Sequence, residues 1–180
     1  MLQGRELLLD LRATMDTAEL ATLFAQAGED LQDVHGAVFK VTVLGQSRPL
    51  HPLTATEIYR IGKEALHNAF RHSDAAHIEI ELEYVSDALK LRVRDDGSGI
   101  DEKIVQDGMR KGHWGLPGMQ ERATKVGGQL NVWSRKDEGT EIEISVPAAE
   151  AYLVTNTEAC PGWMRRFIYK VLALTGQPNA

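Results

Sequence analysis

Residues 77–99 have the sequence HIEIELEYVSDALKLRVRDDGSG. Apolar and charged residues alternate on both sides of Ser86-Asp87, which is the pattern of two half-buried strands joined by a hairpin turn. Asp95 has the same parity as the apolar residues of the second strand, so its carboxylate is expected on the core side. The stretch therefore predicts a sheet with one buried face and an inward-facing acid where a strand ends.

Outward from this hairpin, periodicity predicts helices, strands and loops in a definite order. The remaining predicted elements are a helix at 3–32 with a break at Asp16-Thr17, a strand at 37–44, a helix at 54–72, a glycine-rich charged stretch at 96–115, a helix at 116–126 capped by Gly127-Gly128, and strands at 129–134 and 140–146. This order predicts an α+β sandwich, in which one mixed, mostly antiparallel sheet carries its helices on one face.

Composition narrows the function classes. A chain of 180 residues suits one globular domain with short attachments, and its net charge of -6 argues against a nucleic-acid surface, which needs a basic face. The single cysteine, Cys160, excludes an internal disulfide. No apolar run approaches the roughly 18 residues of a membrane helix. A soluble, cytosolic chain is expected.

The helix at 54–72 carries a polar edge. Arg60, Glu64, Asn68 and Arg71 fall within one arc beside its apolar face. A solvated flank with an Arg60–Glu64 ion pair would explain most of this edge. Asn68 fits that explanation poorly, because asparagine is unfavourable inside a helix, whereas its amide oxygen suits Mg²⁺.

Glycine-rich segments supply two further candidates. Asp95-Asp96-Gly97-Ser98-Gly99 is either a plain Asp-Gly turn or a buried acceptor for an adenine amino group, with glycines that let the base approach. Residues 112–119, GHWGLPGM, lead into a helix whose free N–H groups suit a polyphosphate, although a flexible loop would also explain them. Lys111 and His113 are either ligands or solvated loop residues.

Thr140 begins the last strand and has the parity of its inward-facing residues. A threonine at a strand start is commonly structural. Here it would be a second polar group directed inward near a sheet end, beside the predicted position of Asp95.

Taken together, residues 54–147 resemble the catalytic domain of sensor histidine kinases, in the GHKL superfamily with its Bergerat ATP-binding fold. EALHNAFRH at 64–72 resembles the N box and DDGSG at 95–99 the first glycine box. GHWGLPGM at 112–119, with Glu121-Arg122, resembles the second glycine box in its NarX/DesK-like form. Gly139-Thr140 resembles the closing strand of the family.

The resemblance implies ATP and Mg²⁺ as cofactors and assigns roles to matching positions. Asn68 would coordinate Mg²⁺, Asp95 would receive the adenine amino group, and residues 100–114 would form the ATP lid. Glu64, with Asn68, would be catalytic. In ATP-hydrolysing relatives this glutamate activates water, whereas in histidine kinases the acceptor imidazole attacks, and a carboxylate beside that histidine is an alternative candidate for the base. The other implied nucleotide-binding residues are Arg60, Arg71, Gly97, Gly99, Lys111, Gly112, His113, Gly115, Leu116, Gly118, Met119 and Thr140.

The resemblance also implies a domain organisation and partners. Residues 1–33 would be the end of a dimerisation and phosphotransfer helix with a linker helix, and 34–149 the ATP-binding domain. The extension at 150–180 lies outside the resemblance, and the helical spacing of its apolar residues predicts one amphipathic helix there. None of the six histidines has the context of the family's acceptor, so self-phosphorylation by this chain is not expected. Implied partners are the histidine-bearing dimerisation domain and a response regulator. The parent would be a homodimer anchored in the bacterial inner membrane, with this domain in the cytoplasm.

Two alternatives use the same fold. One is a serine kinase of the anti-sigma type, which the form of the second glycine box disfavours. The other is a degenerate module that binds nucleotide or protein without chemistry, which the intact Asn68, Asp95, Gly97 and Gly99 disfavour.

Overall fold

A computed structural model describes residues 17–100 and 115–153. The elements are α1 (Thr17–His35), β1 (Val38–Gly45), α2 (Pro52–His72), β2 (His77–Tyr84), β3 (Ala88–Asp95), α3 (Gly115–Lys125), β4 (Gln129–Arg135), β5 (Gly139–Pro147) and α4 (Ala148–Ala151). The predictions made for 1–16, 101–114 and 154–180 lie outside the described residues. No helix within the described ranges has the length and apolar character needed to cross a membrane.

The five strands form one sheet in the order β1-β2-β3-β5-β4. β1 and β2 are parallel, and every other neighbouring pair is antiparallel. Parallel neighbours need a crossover connection, which α2 provides. The α+β prediction of one mixed, mostly antiparallel sheet is therefore confirmed.

Strand alternation separates an apolar face of the sheet from a charged one. On the charged face, Arg92 forms ion pairs with Glu81 on β2 and Glu143 on β5. The helices cover the apolar face, and α2 contributes Ile58, Ile61 and Leu66 to the core. The buried residues of β2, β3 and β5 that meet the helices are Ile78, Ile80, Leu82, Leu89, Leu91, Val93, Ile142, Ile144 and Val146.

The predicted cap after α3 is present at Gly127-Gly128. The N–H of Gly128 donates to the carbonyl of Ala123 at 2.9 Å, and that of Gly127 to Thr124 at 3.0 Å. Gly127 has φ +64°, the left-handed conformation in which such a cap ends a helix. The chain can therefore turn sharply from α3 into β4.

Tyr152, in the chain after the last strand, is buried against the domain. The Tyr152 hydroxyl lies 2.8 Å from the carbonyl of Ala88 and 3.2 Å from that of Val85, so it holds the β2–β3 turn. The Arg48 guanidinium lies 3.7 Å from the centre of the tyrosine ring. Tyr152 thus links the β2–β3 turn, the loop before α2 and the chain after β5.

We expect Tyr152→Phe to lower the free energy of unfolding by about 1 kcal/mol, the usual net value of a lost hydrogen bond. Denaturant unfolding measures the change. Tyr59→Phe, which removes the hydroxyl of a half-buried tyrosine, is the control and should stay within about 0.5 kcal/mol of the native chain. Equal stabilities for the two variants would show that the Tyr152 hydroxyl does not hold the turn.

Candidate functional site

Two glycine-rich segments of the predicted site contact helix α2 or the residue that caps it. Near its carboxyl end, Ser73 contacts the glycine-rich segment after β3, because a Cβ on Gly97 would lie 2.2 Å from the Ser73 carbonyl oxygen. Further back along α2, Glu64 and Asn68 contact the first residue of α3. At the helical rise per residue, the axial distance from Ser73 is about 8 Å to Asn68 and about 14 Å to Glu64. The two predicted glycine boxes therefore contact one helix at separate levels.

Asp95 ends β3 on the side of the buried Leu91 and Val93, directly opposite Thr140 on β5. Its Oδ1 accepts a hydrogen bond from the N–H of Gly97 at 3.1 Å. Burial raises the pKa of Asp95, and the backbone N–H groups of Gly97 and Thr140 oppose that rise. Asp95 is thus a half-buried acceptor that would gain from a further donor.

Thr140 belongs to a hydroxyl network that sequence reasoning missed. Ser134 donates to the Gly139 carbonyl at 3.1 Å and accepts from the N–H of Ile100 at 2.7 Å. Its Oγ also lies 2.9 Å from the Thr140 Oγ1. Either hydroxyl can be the donor of this bond, and in both directions the Thr140 oxygen keeps a lone pair for another group. Pairing the two closing strands in register would have shown Ser134 opposite Thr140.

The glycines of the first box have a structural reason that does not involve a ligand. Gly99 has φ +66°, and a Cβ there would lie 1.9 Å from the Arg135 carbonyl oxygen. Gly97 is similarly close to Ser73. Contacts between backbone segments therefore already require glycine at both positions. The approach of a nucleotide base is not needed to explain these glycines.

Asp96 fixes the same segment from the other side. Its Oδ1 accepts the N–H groups of Ala76 at 2.9 Å and His77 at 2.8 Å, and its Oδ2 lies 2.7 Å from the His77 Nδ1. These bonds, led by that of the His77 N–H, lower the pKa of Asp96. Asp96 is therefore a structural acid, in contrast to its neighbour Asp95.

Gly115 begins α3 against the polar edge of α2. A Cβ on Gly115 would lie 3.1 Å from the Glu64 Oε1 and 3.2 Å from the Asn68 Nδ2, closer than most Cβ contacts. The first N–H groups of a helix have no partner within the helix, and the helix dipole favours an anion there. The structure thus brings Glu64, Asn68 and a helix N-terminus together.

The remaining predicted site residues divide into three groups. Leu116 is half-buried and Gly118 lies under the Arg122 guanidinium, whereas Met119 is fully buried and packs in the core. Arg71 is exposed in the last turn of α2. Lys111, Gly112 and His113 lie outside the described residues.

Arg60 does not form the ion pair with Glu64 that the sequence spacing allows. Its guanidinium lies 3.5 Å from the Glu57 Oε1, one turn earlier on α2. Glu57 is buried and attracts this guanidinium instead, so Arg60 belongs to a cluster separate from Glu64 and Asn68.

The described residues provide no preformed multidentate metal site, since no three His, Cys, Asp or Glu side chains among them are grouped to hold an ion. Mg²⁺ commonly takes one or two protein oxygens and completes its shell with phosphate and water. A site centred on the Asn68 amide oxygen fits that chemistry.

The ends of β3, β4 and β5 enclose an open cleft of about 430 Å³. Asp95, Ser134 and Thr140, which share one face of the sheet, line the cleft together with Arg94, Trp133 and Glu141, which share the opposite face. Neither Glu64 nor Asn68 lines this cleft. The cleft therefore lies beside Asp95 and does not extend to Gly115.

Comparison with known proteins identifies the family to which the chain belongs. Residues 54–150 match the family model described as histidine kinase-, DNA gyrase B-, and HSP90-like ATPase. The chain belongs to this family. The matched range contains every described residue of the predicted site.

Relatives within this ATPase family are sensor proteins. The sensor protein VraS of Staphylococcus aureus (strain COL) is 38% identical over 92 residues, which are 50% of this chain and 25% of VraS. VraS of Staphylococcus haemolyticus matches to the same extent. The chain thus spans about a quarter of the length of the curated relatives that it matches.

Solved structures agree on the domain type. The histidine kinase domain of the blue-light activated histidine kinase from Erythrobacter litoralis EL346 has a TM-score of 0.59 and 26% identity, covering 73% of this chain and 66% of that one. The histidine kinase AdeS of Acinetobacter baumannii has a TM-score of 0.62 at 19% identity, covering 74% and 66%, and shows the fold alone. The domain is an ATP-binding domain of the histidine kinase type.

Proposed function

We propose that this domain binds ATP with Mg²⁺ and transfers the γ-phosphoryl group to a histidine of a dimerisation domain outside these 180 residues. The observation that carries the proposal is the geometry along α2. The segment that follows the half-buried acceptor Asp95 contacts α2 at Ser73, and the helix N-terminus at Gly115 contacts it at Asn68 and Glu64, about 8 to 14 Å back along the axis. An extended nucleoside triphosphate has a comparable length.

The Asp95 end suits the base. Its carboxylate would accept the adenine amino group, which supplies the donor that the half-buried acid lacks. Thr140 would offer an acceptor lone pair beside it, since its bond to Ser134 leaves the Thr140 oxygen a lone pair in either direction. Gly97 and Gly99 would then shape the pocket by keeping the backbone close to α2 and to the β4–β5 turn.

The Gly115 end suits the phosphates. The N–H groups of α3 would bind phosphate oxygens, with Leu116 and Gly118 in its first turn. Arg71, exposed in the last turn of α2, would contact phosphates as a residue of the N box. The Asn68 amide oxygen would hold Mg²⁺, which supplies charge neutralisation on the phosphates when bound. Lys111, Gly112 and His113 remain predicted ligands from the segment before α3.

The transfer step is an in-line displacement at the γ-phosphorus. An imidazole nitrogen of the acceptor histidine forms the new P–N bond while the bond to the β–γ bridging oxygen breaks and ADP leaves. The Glu64 carboxylate, half-buried beside Asn68, would take the proton from the other imidazole nitrogen, which becomes acidic as the P–N bond forms. Binding and orientation supply most of the catalysis in such a step.

The relatives support a role within a larger signalling protein. Because the matched sensor proteins are about four times longer than the matched segment, they contain ample chain for an acceptor histidine and further domains. We propose a response regulator as the next phosphoryl acceptor and a membrane-anchored, homodimeric parent with this domain in the cytoplasm. The boundaries at 33 and 149 and the NarX/DesK-like subtype are part of the same proposal.

Phosphoryl transfer is tested by mixing the chain with the histidine-bearing hairpin of its parent, labelled ATP and Mg²⁺. We expect acid-labile label on the hairpin, and Asn68→Ala should reduce it by about tenfold or more, the value of one lost charge-assisted contact. Asn131→Ala removes a half-buried asparagine from the charged face of β4 and should leave labelling unchanged. Acid-stable label would favour the serine kinase, and ATP binding without label would favour the degenerate module.

A further inference from the structure

Glu57 on α2 is a buried carboxylate to which the proposed site assigns no role. Its side chain is 2% exposed, and within the described ranges it is the one buried residue among the aspartates, glutamates, lysines, arginines and histidines. Burial of a carboxylate is unfavourable unless cations and hydrogen-bond donors compensate it. Its partners therefore indicate what it does.

Three cations surround Glu57, and two of them come from α3. The Lys125 Nζ donates to the Glu57 Oε1 at 2.7 Å, and the Arg122 Nε lies 4.0 Å from the Oε2. Arg60 of α2 approaches the Oε1 at 3.5 Å. The side chains of Lys125, Arg60 and Arg122 are 53%, 46% and 39% exposed, so the cations reach water while the acid does not.

These contacts fix one end of α3, and the other end is at the proposed phosphate site. Glu57 lies about two turns before Glu64 on α2. Lys125 is the last residue of α3 and Gly115 the first. The two helices thus run antiparallel, with Lys125 at Glu57 and Gly115 at Glu64 and Asn68.

One oxygen of Glu57 is still available. Within the described residues, its Oε2 is buried and has no hydrogen-bond partner, and the Arg122 Nε is too distant to donate a hydrogen bond to it. A small approach of α3 toward α2 would complete that bond. The contact is therefore suited to favour one placement of α3 over others.

We propose that Glu57 is a positioning residue, which holds α3 through Lys125 and Arg122 so that the first N–H groups of α3 face the phosphate chain. The phosphate part of this inference rests on the proposed function. Glu57 lies at the far end of α3 from Gly115 and acts through that helix. Its loss should weaken the recognition of phosphates and spare that of the base.

Glu57→Gln in the 180-residue chain tests the proposal by two measurements. Without nucleotide, hydrogen exchange of the α3 amides should become about tenfold faster, the factor for one lost charge-assisted hydrogen bond. Calorimetry should show an affinity for ATP with Mg²⁺ reduced by about tenfold and an unchanged affinity for adenosine. Lys125→Met changes a half-exposed residue and keeps the buried Glu57. It should reproduce both the faster exchange of α3 and the weaker binding of ATP.

Glu143→Gln is the matched control, because it removes a carboxylate partner of Arg92 on the charged face of the sheet. It should leave α3 exchange and the ratio of ATP to adenosine affinity at their native values. Native exchange of α3 in Glu57→Gln, or an equal loss of ATP and adenosine affinity, would overturn the positioning role. If the native chain binds no ATP, the proposed function fails, while the exchange of α3 still decides the role of Glu57.

Discussion

Asp95→Asn should reduce the affinity for ATP by about 10- to 100-fold, since it removes the charge from the acceptor proposed for the adenine amino group. The substitution keeps an oxygen that can accept from Gly97, so the local backbone should persist. Calorimetry with Mg²⁺ present measures the loss.

Stability separates this loss from unfolding. Burial raises the pKa of Asp95, so the charged carboxylate destabilises the folded state at every pH above that raised pKa, and the penalty disappears as pH falls through it. Asp95→Asn removes the penalty and should melt no lower than the native chain at neutral pH. In the native chain, ATP affinity should fall as acidification protonates Asp95, at a higher pH than for an ordinary aspartate.

Asp96→Asn is the control next in sequence. Its carboxylate already binds the N–H groups of Ala76 and His77, so its replacement should leave ATP affinity close to native. A loss of affinity equal to that of Asp95→Asn, or a native affinity in both variants, would refute the assignment of the base to Asp95.

Gly99→Ala should lower the free energy of unfolding by more than about 3 kcal/mol, in the range reserved for strong backbone conflicts. The new Cβ would lie 1.9 Å from the Arg135 carbonyl oxygen, in a residue with φ +66°. That carbonyl accepts the N–H of Glu138 in the β4–β5 turn, so the turn must move as well. Denaturant unfolding measures the change.

Gly36→Ala isolates the conformational part of this effect. Gly36 has φ +77°, and a Cβ added there would have nothing within 4 Å, so alanine incurs only the left-handed strain of about 1–2 kcal/mol. If Gly99→Ala is no more destabilising than Gly36→Ala, the close approach of the two backbone segments is not a constraint on the fold.

Much of the fold was predictable because its signals are local. Alternation in 77–99 and helical spacing in 54–72 depend only on residues that are close in the sequence. The parity of Asp95 within its strand and of Thr140 within its own predicted each side chain on the core side. Their direct pairing required the order of the strands, in which β5 lies between β3 and β4. Strand order depends on packing among distant segments. Such packing produces no periodic pattern of residues that could be recognised in the sequence.

Several contacts of the site residues depend on burial and on segments that the local pattern does not show. The local pattern predicts an i,i+4 ion pair between Arg60 and Glu64. In the structure Arg60 lies beside the buried Glu57 instead, which also binds Lys125. The glycine-rich pattern attributes Gly97 and Gly99 to the approach of a ligand, although their nearest neighbours are the carbonyls of Ser73 and Arg135. Nothing local distinguishes a buried glutamate from a solvated one.

The pairing of β3 with β5 also has a kinetic meaning. Asp95 and Thr140 are far apart in the chain, so their contact requires closure of a long loop, whereas the β2–β3 hairpin closes locally. A partly folded form that lacks β5 cannot place Thr140 and Ser134 beside Asp95. A ligand at this end of the sheet would therefore bind only the fully folded chain and stabilise it by mass action.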